Sequence, residues 1–185
     1  MNTQAIFISV LLAFTLHAAS PDRLPGPVFE ELGDLNVPVT TVSPKAQRYF
    51  NQGFALLYGF NHQEAIRAFR SAAHLDPGCA MAWWGVAYAS GPHVNRPMTP
   101  EDTVRAWEAL QQARQQAAGV SPRERAYIRA LESRYQAAHA EDRSGLDRAF
   151  ADAMRRLVQE YPDDIDARVL FAESLMNLMP WDYWQ

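Results

Sequence analysis

Prolines divide most of this 185-residue chain into short helical segments. Ser43-Pro44, Thr99-Pro100 and Ser121-Pro122 each place a capping residue before a proline, which loses no hydrogen bond at the first helical position. Asp76-Pro77 and Tyr161-Pro162 mark breaks, because the residue before a proline disfavours the helical conformation. No stretch alternates apolar and polar residues as a half-buried strand does. The pattern therefore predicts an all-α fold of about seven helices of ordinary length.

The first two predicted helices have the residue spacing of a closely packed pair. Gly53 and Ala65 are small enough for two helices to approach, and Tyr49 and Phe69 fill the space beside them. Pro77 then ends the unit. These positions predict a helix–turn–helix unit with a shared apolar seam.

This unit resembles the tetratricopeptide repeat, a helix–turn–helix of about 34 residues. The same frame places Trp83 and Ala87 on the next pair, and Ala172 and Leu175 on the last helix. The resemblance implies antiparallel helix pairs stacked in a short right-handed superhelix over residues 43–179. Between Pro77 and Pro162 the chain is longer than two repeats, so insertions are predicted at residues 91–98 and 139–145.

A narrower resemblance concerns residues 58–95, which begin Tyr58-Gly-Phe-Asn-His and include Cys-Ala-Met-Ala-Trp-Trp-Gly85. They are similar to bacterial, exported tetratricopeptide-repeat proteins, which are usually longer chains without an assigned biochemical role. The resemblance implies a fold and a compartment but no activity. It also implies that the chain is either a short member of that class or the N-terminal part of a longer exported protein.

Both ends of the chain differ from the helical region. Residues 1–20 contain an apolar run over 5–16 followed by small residues, which predicts a signal peptide and export to the periplasm or the medium. The alternative is a buried N-terminal helix. Residues 21–42 are rich in proline and predict an extended segment. Residues 180–185 form an aromatic tail, which either interrupts a repeat array or folds back onto the last helices.

The charge balance excludes several partners. With 17 Lys and Arg against 21 Asp and Glu, the formal charge of −4 provides no basic surface for nucleic acid or an anionic membrane. The apolar run over 5–16 is too short to span a bilayer, so no stable membrane insertion is expected. A protein or peptide partner fits the predicted fold better.

Aromatic side chains are the candidate binding residues. Helical periodicity predicts that one face of the first helix in each of two pairs lines a concave groove. The predicted lining residues are Phe50, Phe54, Leu57, Tyr58, Met81, Trp84 and Tyr88, with His93 and Asn95 on the loop at the groove mouth. Within the family a chaperone-binding subclass clamps a carboxylate with basic and amide residues. Phe50 and Phe54 stand where two such residues would be, which disfavours that partner class. The alternatives are that these aromatic residues are core, or that residues 21–42 cover them.

Catalysis and metal binding are disfavoured. No nucleophile, zinc-protease or phosphate-loop motif is present, so neither an enzyme nor a cofactor is predicted. Soft-metal ligand types do occur near one another, but His62 and His74 point in different directions on one helix, so no metal site is predicted. The runner-up function is a small-ligand or soft-metal module that uses His93 and its loop neighbours.

Overall fold

A computed structural model describes residues 24–179, and this part of the chain contains α-helices and no β-strand. The seven α-helices are α1 (Pro44–Tyr58), α2 (His62–Leu75), α3 (Ala80–Ala89), α4 (Pro100–Gln116), α5 (Pro122–Glu132), α6 (Ser144–Glu160) and α7 (Ile165–Met176), with a 3-10 turn at Ala117–Gly119. The predicted all-α fold and number of helices are confirmed. The predicted signal peptide and aromatic tail lie outside the described residues.

The predicted helix starts are formed by side-chain caps. Ser43 caps α1 with its hydroxyl oxygen, and Pro44 follows it in the first turn. A full capping box joins Thr99 to Asp102 at the start of α4, and another joins Ser121 to Glu124 at the start of α5. Each such cap contributes about 0.5–2 kcal/mol to stability. Helices α1, α4 and α5 therefore begin where the local sequence signals place them.

Consecutive helices pack against one another along the chain. α1 packs on α2, α2 on α3, α3 on α4, α5 on α6, and α6 on α7. The short connection at residues 59–61 makes α1 and α2 antiparallel neighbours. In addition, α1 contacts α3, and α3 contacts α5. No helix in the part of the chain described is long and apolar enough to cross a bilayer.

One phenylalanine fixes the spacing of the first three helices. Phe69 on α2 is fully buried, and its ring lies against the backbone of Gly53 on α1 and Gly85 on α3. A Cβ atom would lie 2.6 Å from a ring carbon at Gly53 and 2.5 Å at Gly85, both far inside van der Waals contact. Phe69 was predicted to lie beside the close approach of Gly53 and Ala65; in the structure its ring lies directly against Gly53, and Gly85 is a second contact of the same ring.

Residues 24–43, the described part of the segment before α1, contain no helix and follow the surface of the first helices. The amide of Val37 donates to Asn51 Oδ1 on α1 at 3.2 Å, and the amide of Thr40 donates to Glu124 Oε1 on α5 at 2.7 Å. Residues 37–40 therefore run beside α1 to the start of α5.

Candidate functional site

The side chains predicted to line an open groove belong mostly to the core. Six of them have at most 6% of their surface exposed: Phe50, Phe54, Leu57, Met81, Trp84 and Tyr88. Tyr58 is half-buried. A partner cannot reach the six buried side chains in this structure, which corrects the expectation that they form an open aromatic wall.

Aromatic packing between helices explains this burial. The rings of Phe50 and Phe54 lie 5.4 and 6.2 Å from that of Phe69 on α2. Trp84 stacks on Phe54 with ring centroids 6.0 Å apart, and its Nε1 donates to the carbonyl of Tyr127 on α5 at 3.2 Å. The buried stripe of a core helix is at least about 100° wide, so residues beside the seam are buried with it. The sequence assignment placed these residues on the open groove because it assumed a buried stripe narrower than the one in the structure.

Helix α7 forms side-chain hydrogen bonds with the aromatic faces of α1 and α3. The Tyr58 hydroxyl on α1 donates to Asp166 Oδ1 at 2.8 Å, and the Tyr88 hydroxyl on α3 donates to Glu173. Burial raises the pKa of Tyr88, and the nearby Glu173 carboxylate raises it further. Because α7 is bonded to both α1 and α3, it holds the aromatic side of these helices closed.

A buried arginine lies behind the loop between α3 and α4. Arg134 is 1% exposed, and its guanidinium carbon lies 4.9 Å from the ring centre of Tyr88 and 4.6 Å from that of Phe150. Its Nη2 donates to the carbonyl of Pro92 at 2.6 Å. Two aromatic faces and one carbonyl therefore hold this cation, and through it the loop is anchored to α3 and α6.

His93 packs against a second histidine. Its ring is parallel to that of His62, with centroids 3.9 Å apart, and its Nδ1 accepts a hydrogen bond from the amide of Asn95 at 3.3 Å. Burial lowers the pKa of His93 to about 4, helped by the positive charges of His62, Arg96 and Arg134. His93 is therefore neutral at pH 7. Asn95 itself is exposed.

This loop forms one side of a cavity of about 560 Å³. Polar side chains on its wall are His93, Arg96, Thr99, His139, Glu141, Arg143, Asp147 and Asn177. Two of these side chains have a buried donor without an acceptor among residues 24–179, at Arg143 Nε and Asn177 Nδ2. Across the same range, no three or more His, Cys, Asp or Glu side chains gather as a metal site requires. The cavity wall therefore carries charged side chains of both signs.

Of the five exposed large apolar side chains on the described helices, four lie on α7. Ile165 is 71% exposed, Val169 45% and Met176 44%. We call this surface the α7 stripe, and its exposed residues, at helical spacings of three and four, are Ile165, Arg168, Val169, Ala172, Leu175, Met176 and, just beyond the helix, Met179. On the opposite side of α7, Ala167 and Leu170 are at most 1% exposed. This helix is therefore apolar on two faces, and only one of them is covered by described residues.

The sequence assignment missed the α7 stripe, although its signal is visible. Ala172 and Leu175 were placed at the seam positions of a helix pair, and in the structure no described helix lies opposite them. The spacing of apolar residues predicts that a face will pack, but it does not show whether the packing partner is present.

No family model, curated protein or solved structure matches this chain. Its function must be inferred from its own side chains and surfaces.

Proposed function

We propose that the protein is a tetratricopeptide-like scaffold that binds a protein partner and has no catalytic activity of its own. The seven helices form a short right-handed superhelix, and the partner docks on the α7 stripe. The aromatic residues predicted to bind it serve instead as the core that holds the helices in place.

Two contacts and the positions of two loops support the repeat architecture. The first helices of successive pairs touch in the order α1, α3 and α5, as they do along the inner side of a stacked array. Phe69 of the first pair packs against both Gly53 of its own pair and Gly85 of the next. The loop at residues 91–99 contains the first predicted insertion, and the loop at residues 133–143 overlaps the second, which was predicted at residues 139–145.

The observation that carries the proposal is the exposure of the α7 stripe. Isolated exposed apolar side chains are common, but a continuous apolar stripe on a helix marks an interaction site. Apart from Arg168, the exposed residues of this stripe are all apolar. A second protein that covered them would remove from water the surface that α6 leaves open.

The experiment selects binders without assuming a partner. A display library of helical peptides is enriched on the wild-type protein, and the binders are measured against Val169→Glu. We expect Val169→Glu to weaken them at least about tenfold, because it buries a charge in an apolar interface. Val104 on α4 is also exposed, at 55%, so Val104→Glu is the matched control and should leave binding unchanged. Binders that ignore Val169→Glu contradict the proposal.

A second candidate function is a carboxylate-binding site in the cavity beside His93. It is favoured by the cationic side chains of Arg96 and Arg143 on the cavity wall and by a volume of about 560 Å³, which suits a small molecule. Calorimetry with succinate tests it, with Arg96→Gln as the variant that should weaken binding. Absence of heat with the wild-type protein would remove this candidate.

A further inference from the structure

We infer that the occupant of the α7 stripe is an amphipathic α-helix of another protein, antiparallel to α7 and basic in its C-terminal turn. This inference rests on the proposed docking function and specifies the partner that fits the surface. The spacing of the apolar residues and the example of the first helix pair support an antiparallel helix. The charges at one end of the stripe support a basic C-terminal turn.

The first helix pair shows what covers such a face. Tyr49 and Leu56 on α1 are 7% and 8% exposed because α2 lies on them in the antiparallel direction. Ala172 and Leu175 on α7 have the same three-residue spacing as Gly53 and Leu56, with the small residue first. A helix is therefore the element that fits the α7 stripe, and a strand, whose side chains repeat every two residues, is not.

The two ends of the stripe differ in charge. Beside Ile165 a cavity of about 540 Å³ is lined by four carboxylates and one guanidinium: Glu160, Asp163, Asp164, Asp166 and Arg123. Two cations lie at this end: Arg123 is already paired with Asp164, its Nε lying 2.6 Å from Oδ2, and Arg168 donates to the carbonyl of Pro162. Glu160 and Asp163 are exposed and form no ion pair with any described residue. This end, which we call the acidic corner, is therefore suited to a cation.

The direction of the partner follows from the position of the acidic corner. In an antiparallel arrangement, the C-terminal turn of the docked helix lies beside the N-terminus of α7, where the corner is. Lys or Arg in that turn pairs with Glu160 and Asp163 and also suits the negative end of the docked helix's own dipole. Both the ion pairs with the acidic corner and the dipole of the docked helix therefore favour a basic C-terminal turn.

The same charges argue against a second copy of this chain as the occupant. In an antiparallel α7–α7 pair, the acidic corner of one copy lies beside residues 175–179 of the other. Those residues are Leu-Met-Asn-Leu-Met and carry no cation. A copy would cover the apolar stripe but leave the acidic corner uncompensated.

Two synthetic helices test the inference. Each is a cross-linked helix of about 15 residues with leucines at spacings of three and four, since an unconstrained helix of that length is marginal in water. One carries three lysines in its last turn and the other three glutamines. We expect the lysine peptide to bind the full chain about 3- to 10-fold more tightly at low salt, with the difference shrinking at high salt.

Variants separate the charge from the apolar contact. Replacing Glu160→Gln and Asp163→Asn together should remove the advantage of the lysine peptide and leave the glutamine peptide unaffected. The matched control is Glu101→Gln with Glu108→Gln, which neutralises two exposed carboxylates on α4 and should preserve that advantage. Circular dichroism of each variant verifies that the fold is intact.

Each outcome has a defined meaning. If both peptides bind equally and Val169→Glu abolishes both, the inferred basic partner is wrong while the docking function stands. If neither peptide binds although helical binders selected from the library do, the inferred basic helix antiparallel to α7 is wrong while the docking function stands. If the chain forms a dimer that Val169→Glu dissociates, the occupant is a second copy and the inference is overturned. The inference is supported if the lysine peptide binds more tightly than the glutamine peptide, if salt reduces this difference, and if only the substitution of Glu160 and Asp163 removes it.

Discussion

The first helix pair and α7 carry similar seam residues in different surroundings. On α1, Gly53 and Leu56 are covered by α2, and the ring of Phe69 touches the backbone of Gly53. On α7, Ala172 and Leu175 have the same spacing, yet Leu175 is 36% exposed. The same pattern is thus core in one place and surface in the other. What decides between them is whether a helix lies opposite.

This difference separates stability from binding. Substitutions on the covered seam disturb packing that holds several helices together. On the α7 stripe the substituted side chain is exposed to water. The same chemical change should therefore cost much more stability on the covered seam than on the α7 stripe.

The largest effect is expected from placing a charge in each region. Phe54 is 1% exposed, so Phe54→Glu buries an unpaired carboxylate and should cost about 3–5 kcal/mol or more. Val169→Glu places the same carboxylate in water and should change stability by about 0.5 kcal/mol or less. Urea unfolding followed by circular dichroism measures both. Equal losses would show that the α7 stripe is part of the core.

A smaller effect is expected from added volume. Gly85→Ala forces a methyl group against the ring of Phe69 and should cost about 1–3 kcal/mol. Ala172→Leu adds more volume on α7 but should cost about 0.5 kcal/mol or less, because the stripe is open. Gly119→Ala is a further control, since nothing lies within 4 Å of its added methyl group. A tolerated Gly85→Ala would mean that α2 and α3 are farther apart than the structure has them.

The smallest effect is expected from acid, which acts on stability through His93 and does not involve the α7 stripe. The pKa of His93 is lowered to about 4 in the folded protein, so between pH 6.5 and 4 the unfolded chain binds a proton that the folded one does not. His93 therefore contributes stability at pH 7 that is lost as the pH falls toward 4. After allowance for solvent screening at this half-buried ring, the loss at pH 5 is about 1 kcal/mol, or about 2–4 °C in Tm.

Variants identify the histidine responsible. His93→Gln should reduce the fall in Tm between pH 7 and 5, whereas His74→Gln, at an exposed position on α2, should behave as the wild type. Binding to the α7 stripe should not change over this range, because Arg168, its ionisable residue, stays charged. An unchanged pH response in His93→Gln would contradict the assignment.

The local part of the fold could be predicted from the sequence. Ser43-Pro44, Thr99-Pro100 and Ser121-Pro122 begin helices because a cap and a proline act over a few residues. Gly53, Ala65 and Phe69 predicted a seam because close approach of two helices needs small residues, with large side chains to fill the space beside them. The signal peptide and the export that it implies stay predictions, since residues 1–20 lie outside those described.

The candidate site could not be predicted in the same way. Whether Trp84 is groove or core depends on Tyr127, 43 residues further along the chain, and no local pattern contains that contact. The closure of this region depends equally on Tyr58 meeting Asp166, which are 108 residues apart. Long-range contacts of this kind decide which faces of a helix stay open.

The most direct test of the account compares thiol accessibility at the two regions. In a Cys79→Ser background, Val169→Cys and Met81→Cys are labelled with a thiol reagent under native conditions. Val169→Cys should react like an unfolded thiol, and Met81→Cys, at a position 4% exposed, should react at least about a hundredfold more slowly, because labelling it requires local opening. Equal rates at the two positions would contradict the account, since they would mean that the aromatic region is open or that the α7 stripe is covered.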